Sequence, residues 1–263
     1  MPAEAAAPST VLLERKGAVA IITLNEPERL NALSIPMREE LHDVLADVMA
    51  DDGIRAVLLT GADGTFCAGG DLHSMDGVVG IAARTRLRRA HRLIRLIVRG
   101  DKPVIAAVEG NAAGAGLSLA AACDVIVAAT NAKFTGAFGR IGLIPDLGSM
   151  WTVPARIGTG AARRLLLLGE SCDGEEALRT GLVEKIVAPG TAFDEAMVVA
   201  ERLAAGAPGA IASLKAMFAR APQDLDALLD GEAEAQAVLF SSEDFIEGRK
   251  AFLERRKPQF KGQ

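Results

Sequence analysis

Two glycine- and alanine-rich stretches, each predicted to follow a buried strand and to precede a helix, could do chemistry. They are residues 66–72 (FCAGGDL) and residues 110–117 (GNAAGAGL). Glycine lets the main chain approach a ligand closely, and the first turn of a helix leaves amide N–H groups free to point at negative charge. Each stretch could therefore supply one amide to a shared oxyanion. Taken singly, each could equally be a site of tight packing between a helix and a strand.

An aspartate, Asp146, stands in the segment IPDLG shortly before a predicted helix that begins at Ser149. Burial of a carboxyl group in apolar surroundings raises its pKa, which suits a group that both takes and returns a proton. The alternative is that Asp146 caps the helix, although three residues before a helix is early for a cap. Asp146 is therefore the candidate acid/base.

The histidines and cysteines do not form a metal-binding pattern. Three residues of each kind are scattered along the chain, and the cysteines have no CxxC spacing. Metal sites need such ligands at short, regular spacings or on one face of an element. The sequence therefore predicts no metal site and no bound cofactor.

Five arginines on one predicted helix form a stripe at steps of four and three residues: Arg84, Arg88, Arg92, Arg95 and Arg99. Such a stripe is typical of a solvated helix face. RNA binding through this helix is the alternative from another functional class. The net charge of −5, the absence of Tyr and the single Trp favour the solvated face and make nucleic-acid binding an unlikely role.

The order of predicted elements indicates an α/β protein. A hairpin, residues 11–14 and 19–24 around Lys16-Gly17, precedes a helix that Ser34 caps. Further strands are predicted at 55–60, 104–108, 125–128 and 182–187, with a helix at 85–98. Helical periodicity marks 191–206, 208–219, 223–239 and 243–256. Strands that alternate with helices predict crossover units and a mainly parallel sheet.

Length and composition predict one principal domain with an appendage. Half of the 263 residues are apolar, which is enough for a sizeable core. We expect a flexible tail at 1–10, an α/β core at 11–200 and a helical oligomerisation region at 201–263. The first residues do not resemble a secretory signal, and the longest apolar run is too short to span a bilayer, so the expectation is a cytoplasmic protein without a membrane partner.

Five segments in this order resemble the crotonase (enoyl-CoA hydratase/isomerase) superfamily: 22–34 (ITLNEPERLNALS), 65–72 (TFCAGGDL), 103–124 (PVIAAVEGNAAGAGLSLAAACD), 133–148 (KFTGAFGRIGLIPDLG) and 248–260 (GRKAFLERRKPQF). The resemblance implies a crotonase-like spiral of ββα units with a C-terminal helical trimerisation region. It also implies an acyl-CoA substrate and a homotrimer or hexamer.

The resemblance also assigns roles to residues. The amides of Gly70 and Ala115 would form the oxyanion hole for the thioester oxygen, with Asp146 as the third catalytic residue. The residues that would touch CoA are Arg29, Ala32, Ala68, Asp71, Leu72, Phe252 and Lys257, the last two often serving a neighbouring subunit. The residues that would line the acyl pocket are His73, His91, Phe138, Leu143 and Trp151.

The sequence departs from the hydratase pattern of this superfamily at both catalytic glutamates. Those positions hold Ser118 and Phe138, which cannot act as carboxylate bases. An aspartate at the position of Asp146 is typical of the isomerases of this superfamily, notably the epoxyphenylacetyl-CoA isomerase group. The resemblance thus favours double-bond isomerisation or ring rearrangement. A hydratase with other catalytic residues, or a dehalogenase or hydrolase that pairs Asp146 with His91, are the alternatives.

Overall fold

The computed structural model describes residues 9–220 and 224–263. Its strands are β1 (Val11–Lys16), β2 (Val19–Leu24), β3 (Ala56–Gly61), β4 (Val104–Val108), β5 (Asn111–Ala113), β6 (Val125–Ala129), β7 (Lys133–Thr135), β8 (Ser171–Asp173) and β9 (Lys185–Val187). The predicted hairpin is confirmed, since β1 and β2 pair antiparallel with Lys16 opposite Val19. Of the predicted tail, residues 1–8 lie outside the described residues, whereas the Thr10 amide donates to the Glu40 carboxylate at 2.9 Å.

Two sheets carry the fold, and the larger one is mainly parallel as predicted. Its strand order is β1-β2-β3-β4-β6-β9, and all neighbours after the first pair run parallel. The smaller sheet has the order β5-β7-β8. Each of β4 and β6 is followed by a short strand of the smaller sheet and then by a helix, which is the repeating ββα unit of the crotonase fold.

The helices are α1 (Ile35–Ala50), α2 (Gly80–Arg99), α3 (Ala115–Ala122), α4 (Ser149–Leu168), α5 (Gly174–Thr180), α6 (Ala192–Ala204), α7 (Pro208–Phe218), α8 (Leu225–Leu239) and α9 (Glu243–Leu253). The predicted cap of α1 is confirmed, because the Ser34 hydroxyl accepts the amide of Met37 at 3.2 Å. Pro36 lies in the first turn, where its missing N–H costs nothing.

The core lies on both faces of the large sheet. Alternate residues of each strand point to opposite faces, so Ile22 and Leu59 face the side covered by α1, α2 and α3, whereas Ile21 and Leu58 face α6. The second face is closed by the small residues of α6, which let this helix approach the strands. Of the strands that precede the glycine-rich loops, β4 is buried throughout and β3 is buried from Ala56 to Leu59, so these loops start from a well-packed base.

Helix α2 begins five residues earlier than the predicted start at residue 85. Its first turn has no apolar face, since Ile81 is 85% exposed, and Val79 before it provides no side-chain cap. Periodicity cannot detect such a turn. The strands β5, β7 and β8 were not predicted, because an alternation of apolar and polar residues cannot be recognised over only three residues.

The C-terminal region is helical as predicted. Helix α7 is tied to the sheet by the buried Lys215, whose ammonium group donates to Ile97 O at 3.1 Å and to the Asp124 carboxylate. None of the residues of α8 is buried in the single chain. Within residues 9–220 and 224–263, no single helix is long and apolar enough to cross a membrane, and the consecutive helices that pass this test jointly, α6 and α7, are bent by 109°.

Candidate functional site

Main-chain hydrogen bonds hold the two glycine-rich loops side by side. The Cys67 amide donates to Asn111 O at 2.8 Å, and the Ala113 amide donates to Cys67 O at 3.0 Å. The first loop thereby runs parallel to β5, and the second loop continues directly into α3. The prediction that the two loops act at one place is consistent with this arrangement.

Two glycines are required because the main chains approach so closely. A β-carbon on Gly116 would overlap Cys67 O. Gly69 has a φ of +120°, and a β-carbon there would lie 3.0 Å from Ala113 O and 3.9 Å from the Ala115 amide nitrogen. Only glycine adopts such a φ without strain. The first loop therefore passes next to the amide of Ala115, one residue before Gly70.

The amides of Gly70 and Ala115 remain available to a ligand. Ala115 is the first residue of α3, so its N–H has no intrahelical acceptor. Among the described residues, neither amide donates to a protein acceptor in a turn, loop or cap. Two neighbouring free amides at the start of a helix are suited to hold a developing oxyanion.

Asp146 lies in the loop before α4, and its main chain is tied to α3. Its carbonyl oxygen accepts the hydroxyls of Ser118 and Ser149, both at 2.9 Å. Ser118 stands three residues after Ala115 on α3, so it shares a helix face with the oxyanion loop. These bonds place the backbone of Asp146 beside the face of α3 that begins at the free amide.

The carboxylate of Asp146 is poised for proton transfer. Its Oδ1 atom is buried without a hydrogen-bond partner among the described residues. Burial raises the pKa of Asp146, whereas the charges of His91, Arg38 and Arg86 oppose that rise. The cap interpretation is wrong, because the cap residue of α4 is Gly148 and no side chain caps this helix. A half-buried carboxyl group with a raised pKa and one oxygen free of hydrogen bonds is suited to general acid/base chemistry.

Four of the predicted pocket residues lie near the glycine-rich loops or Asp146. Phe138 is buried, with its ring 4.0 Å from a β-carbon built on Gly114, and Leu143 donates its amide to Phe138 O at 3.2 Å. His91 is half-buried and acts electrostatically on Asp146. His73 is exposed just after the first loop, and its amide donates to the Asp71 carboxylate at 3.1 Å.

Trp151 is the remaining residue that was predicted to line the acyl pocket. It is 43% exposed and lines a groove of about 710 Å³ with Asp124, Phe218 and the last turn of α3. The oxyanion loop is at the first turn of that helix, so the indole lies toward its opposite end. Its predicted place in the acyl pocket stays a prediction. The first turn of α4 points Trp151 toward α7, a contact that no local pattern reveals.

The residues expected to touch CoA in the N-terminal half converge at the first loop. Arg29 is exposed and lies 3.8 Å from the buried Asp71 carboxylate. The Ala68 amide donates to Leu30 O at 3.0 Å, and the Ala32 amide donates to Arg29 O at 3.1 Å. Leu72 follows Asp71 with its side chain 55% exposed. This surface adjoins Gly70, where a thioester would lie.

Phe252 and Lys257 lie away from these loops in the same chain. Both are exposed, and their segment is anchored by Arg55, whose guanidinium donates to Phe260 O at 2.8 Å. Arg55 immediately precedes β3, whereas the first loop follows the other end of that strand. Six extended residues span about 20 Å. The expected nucleotide contact of these two residues therefore requires a neighbouring subunit and stays a prediction.

Sequence reasoning missed two arginines and gave Ser118 no role. Arg38 of α1 and Arg86 of α2 are half-buried and line a cleft of about 360 Å³ between these helices. In the sequence, both arginines are typical of the polar face of an amphipathic helix. Only the packing of α1 against α2 brings them to one cleft. Ser118 was recognised as a missing glutamate, but its bond to Asp146 O depends on a loop 28 residues away.

The arginine stripe of α2 is exposed along its length, as expected for a solvated face. Arg92 pairs with Glu39 at 3.0 Å. Of the residues that the structure describes, no group of three or more His, Cys, Asp or Glu residues is arranged to hold a metal ion.

Comparison with known proteins agrees with this geometry. The family model described as enoyl-CoA hydratase/isomerase matches residues 14–263. The chain is 39% identical over 249 residues to 1,2-epoxyphenylacetyl-CoA isomerase of Escherichia coli, covering 93% of this chain and 95% of that protein. It is 42% identical over 257 residues to a probable enoyl-CoA hydratase of Rhodobacter capsulatus, covering 96% and 98%.

The solved structures point to the same family. The crystal structure of enoyl-CoA hydratase from Bacillus anthracis superposes with a TM-score of 0.92 at 31% identity, covering 97% of this chain and 100% of the other. A putative enoyl-CoA hydratase from Streptomyces coelicolor superposes with a TM-score of 0.92 at 34% identity, covering 100% and 98%. The chain therefore belongs to the enoyl-CoA hydratase/isomerase family of the crotonase superfamily and is an acyl-CoA-processing enzyme.

Proposed function

We propose that this enzyme is an enoyl-CoA isomerase in which Asp146 is the sole acid/base and the amides of Gly70 and Ala115 hold the enolate oxygen. The observation that carries this proposal is the buried, unpartnered Oδ1 of Asp146, whose backbone is bonded to the same helix that presents the Ala115 amide. The relative of E. coli that bears an isomerase name supports it.

The chemistry needs one carboxylate. Asp146 removes a proton from C2 of a 3-enoyl thioester, and the C–H electrons move into the thioester carbonyl to give a dienolate. The two amides stabilise that oxyanion because they are fixed before the charge develops. Asp146 then returns the proton to C4, so the double bond moves from C3–C4 to C2–C3 with no net gain or loss of atoms.

The raised pKa of Asp146 fits this double duty. A strong acid would hold its proton too weakly to return it to carbon, and a strong base would not release it. Burial raises the pKa of Asp146, and the nearby guanidinium and imidazole groups limit that rise. The carboxyl group is therefore tuned toward the pH at which it works.

Hydration is the principal alternative, since several relatives carry hydratase names. Water addition by the standard route requires a second carboxylate, and the two usual positions hold the buried Ser118 and Phe138. Incubation in heavy water with a 3-enoyl-CoA and with a 2-enoyl-CoA separates the possibilities. The isomerase interconverts the two esters and exchanges deuterium at C2 and C4, whereas a hydratase forms a 3-hydroxyacyl-CoA.

A second candidate is hydrolysis or dehalogenation, in which the Asp146 carboxylate displaces the CoA thiolate or a halide ion to form an acylated intermediate, and water then attacks the carbonyl carbon of Asp146 to release the product. The observation that favours it is the electrostatic interaction of His91 with Asp146, because a histidine could activate water against such an intermediate. A single turnover in ¹⁸O-water distinguishes the two. The hydrolytic route leaves ¹⁸O in the Asp146 carboxylate, and isomerisation leaves none.

We also propose that the enzyme works as a homotrimer or hexamer. Helix α8 buries none of its own residues and carries exposed Leu225 and Val238, and Phe252 lies far from its expected ligand within one chain. A neighbouring subunit would cover the helix and receive the α9 segment.

We further propose that the enzyme resides in the cytoplasm. The free thiols of Cys67, Cys123 and Cys172 support this location, because thiols stay reduced there.

A further inference from the structure

The cleft between α1 and the first half of α2 has an unusual lining for an acyl pocket. Its apolar wall is formed by Ile35, Val78, Ala82 and Ala90, and the half-buried guanidinium groups of Arg38 and Arg86 also line it. A cleft of about 360 Å³ accommodates several methylene groups. Positive charge in such a place needs a reason, because a charged group loses hydration when it is buried.

Neither arginine has a carboxylate as a direct ion-pair partner, although Glu39 also lines the cleft. Among the described residues, no Asp or Glu oxygen lies within 4.0 Å of either side chain, whereas Arg92 near the rim pairs with Glu39 at 3.0 Å. The Nε of Arg38 donates to Ser34 O at 3.3 Å. Burial and the neighbouring charge of Arg86 lower the pKa of Arg38, whereas the charges of Asp146, Glu39 and Asp71 oppose that lowering.

The guanidinium of Arg86 is held in a fixed orientation. Its two terminal nitrogens donate to Ser74 O and to Ser74 Oγ, both at 2.7 Å. The hydroxyl of Ser74 in turn donates to Asp71 O at 2.7 Å, one residue after Gly70. A preorganised guanidinium is therefore coupled to the oxyanion loop through a single serine.

The charges of the two arginines also act on Asp146, the proposed acid/base. Both lower the pKa of Asp146 from the value that burial would give. The hydrogen bonds from Arg86 through Ser74 to Asp71 O place the cleft next to the residue that follows Gly70, so an acyl chain that starts at the thioester beside Gly70 could place its far end in the cleft. This step rests on the acyl-CoA site proposed above.

We propose that Arg38 and Arg86 form a subsite for a carboxylate at the far end of the acyl group, so that the preferred substrates are ω-carboxylated acyl-CoA esters. Guanidinium groups bind carboxylates with paired N–H donors, and the cleft walls fit the intervening methylene groups. The anion would supply the direct ion pair that neither arginine makes within the described part of the chain. The phosphates of CoA are the other possible source of such an anion.

Binding of two saturated esters of equal chain length, hexanedioyl-CoA and hexanoyl-CoA, tests the subsite. Neither ester has a double bond to move, so the result does not depend on isomerase activity. Calorimetry on the wild type is expected to give at least a roughly tenfold tighter Kd for hexanedioyl-CoA. In Arg38→Gln and in Arg86→Gln this ratio is expected to fall to about one.

Arg88→Gln is the matched control, because Arg88 is exposed on the same helix and does not line the cleft. It should keep the wild-type ratio. Equal affinity of the wild type for the two esters would overturn the proposal. So would an equal loss for both esters in the Arg38 and Arg86 variants, which would indicate recognition of the CoA phosphates, or a lowered ratio in Arg88→Gln, which would indicate only long-range attraction.

Discussion

The hydroxyl of Ser118 donates a 2.9 Å hydrogen bond to the main-chain carbonyl oxygen of Asp146. Ser118 is completely buried in α3, one turn after the oxyanion amide of Ala115, and Asp146 lies in the loop before α4. The bond therefore fixes the proposed base relative to the proposed oxyanion hole. We therefore expect Ser118, which stands where the resemblance places a catalytic glutamate of hydratases, to act as a positioning residue.

Ser118→Ala is expected to lower kcat about tenfold with little change in KM. Loss of one buried hydrogen bond costs roughly 1–3 kcal/mol. Ser149 donates to the same carbonyl oxygen and is expected to compensate for part of this loss. The double variant with Ser149→Ala should lose more than the sum of the two single effects. Steady-state kinetics with a 3-enoyl-CoA check this. A rise in KM at constant kcat would show that Ser118 serves binding instead.

Asp146→Asn should separate chemistry from binding. The amide keeps the shape of the side chain but cannot accept the proton, so isomerisation should fall by about 10²-fold or more, whereas the affinity for an acyl-CoA should persist. Turnover and the Kd for a saturated ester are the two measurements. Asp194→Asn, on the exposed first turn of α6, is the control and should retain full activity. Undiminished turnover in Asp146→Asn would place the acid/base elsewhere.

The same substitution should stabilise the fold at neutral pH. Burial raises the pKa of Asp146, so ionisation costs the folded state free energy: the cost is absent below the unfolded value of 3.8, grows as the pH rises from there to the folded pKa, and is complete above it. The thermal midpoint of Asp146→Asn should therefore exceed that of the wild type at pH 7. The difference should shrink as the pH falls through the folded pKa. A difference independent of pH would mean that the carboxyl charge is not its cause.

A pair of glycine substitutions tests the contact between the two loops. In Gly116→Ala the new methyl group would overlap Cys67 O and push the first loop away, so both stability and oxyanion binding should suffer. Gly160→Ala in α4 meets nothing within 4 Å and should raise stability by up to about 1 kcal/mol with unchanged kcat. Denaturant unfolding and kinetics report both effects. A well-folded, fully active Gly116→Ala would contradict the contact.

The assembly is tested by light scattering at micromolar concentration. We expect three or six times the mass of a single chain, because α8 has no buried residue of its own and exposes apolar side chains. Leu229→Glu on this helix should shift the mass toward that of one chain, since a charge cannot be desolvated in an apolar contact. A monomeric wild type would exclude the expected role of Phe252 and Lys257 at a neighbouring active site.

The local sequence determined those features that depend on residues close together in the chain. The Ser34 cap, the hairpin at Gly17, the buried strands and the two glycine-rich loops follow from short-range patterns, and all of them are present in the structure. Asp146 was also identifiable as the candidate acid/base, because its segment resembles a motif of the family. In each case the physical cause, a side-chain cap, a permitted φ or an apolar alternation, acts within a few residues.

Only the tertiary structure decided how distant segments meet. Arg38 and Arg86 are 48 positions apart and face one cleft because α1 crosses α2, and Ser118 reaches Asp146 O because α3 lies against the loop before α4. Trp151 of α4 and Phe218 of α7 line one groove for a similar reason. Burial and the sum of surrounding charges shift the pKa of Asp146, and both quantities exist only when the helices and loops are packed together.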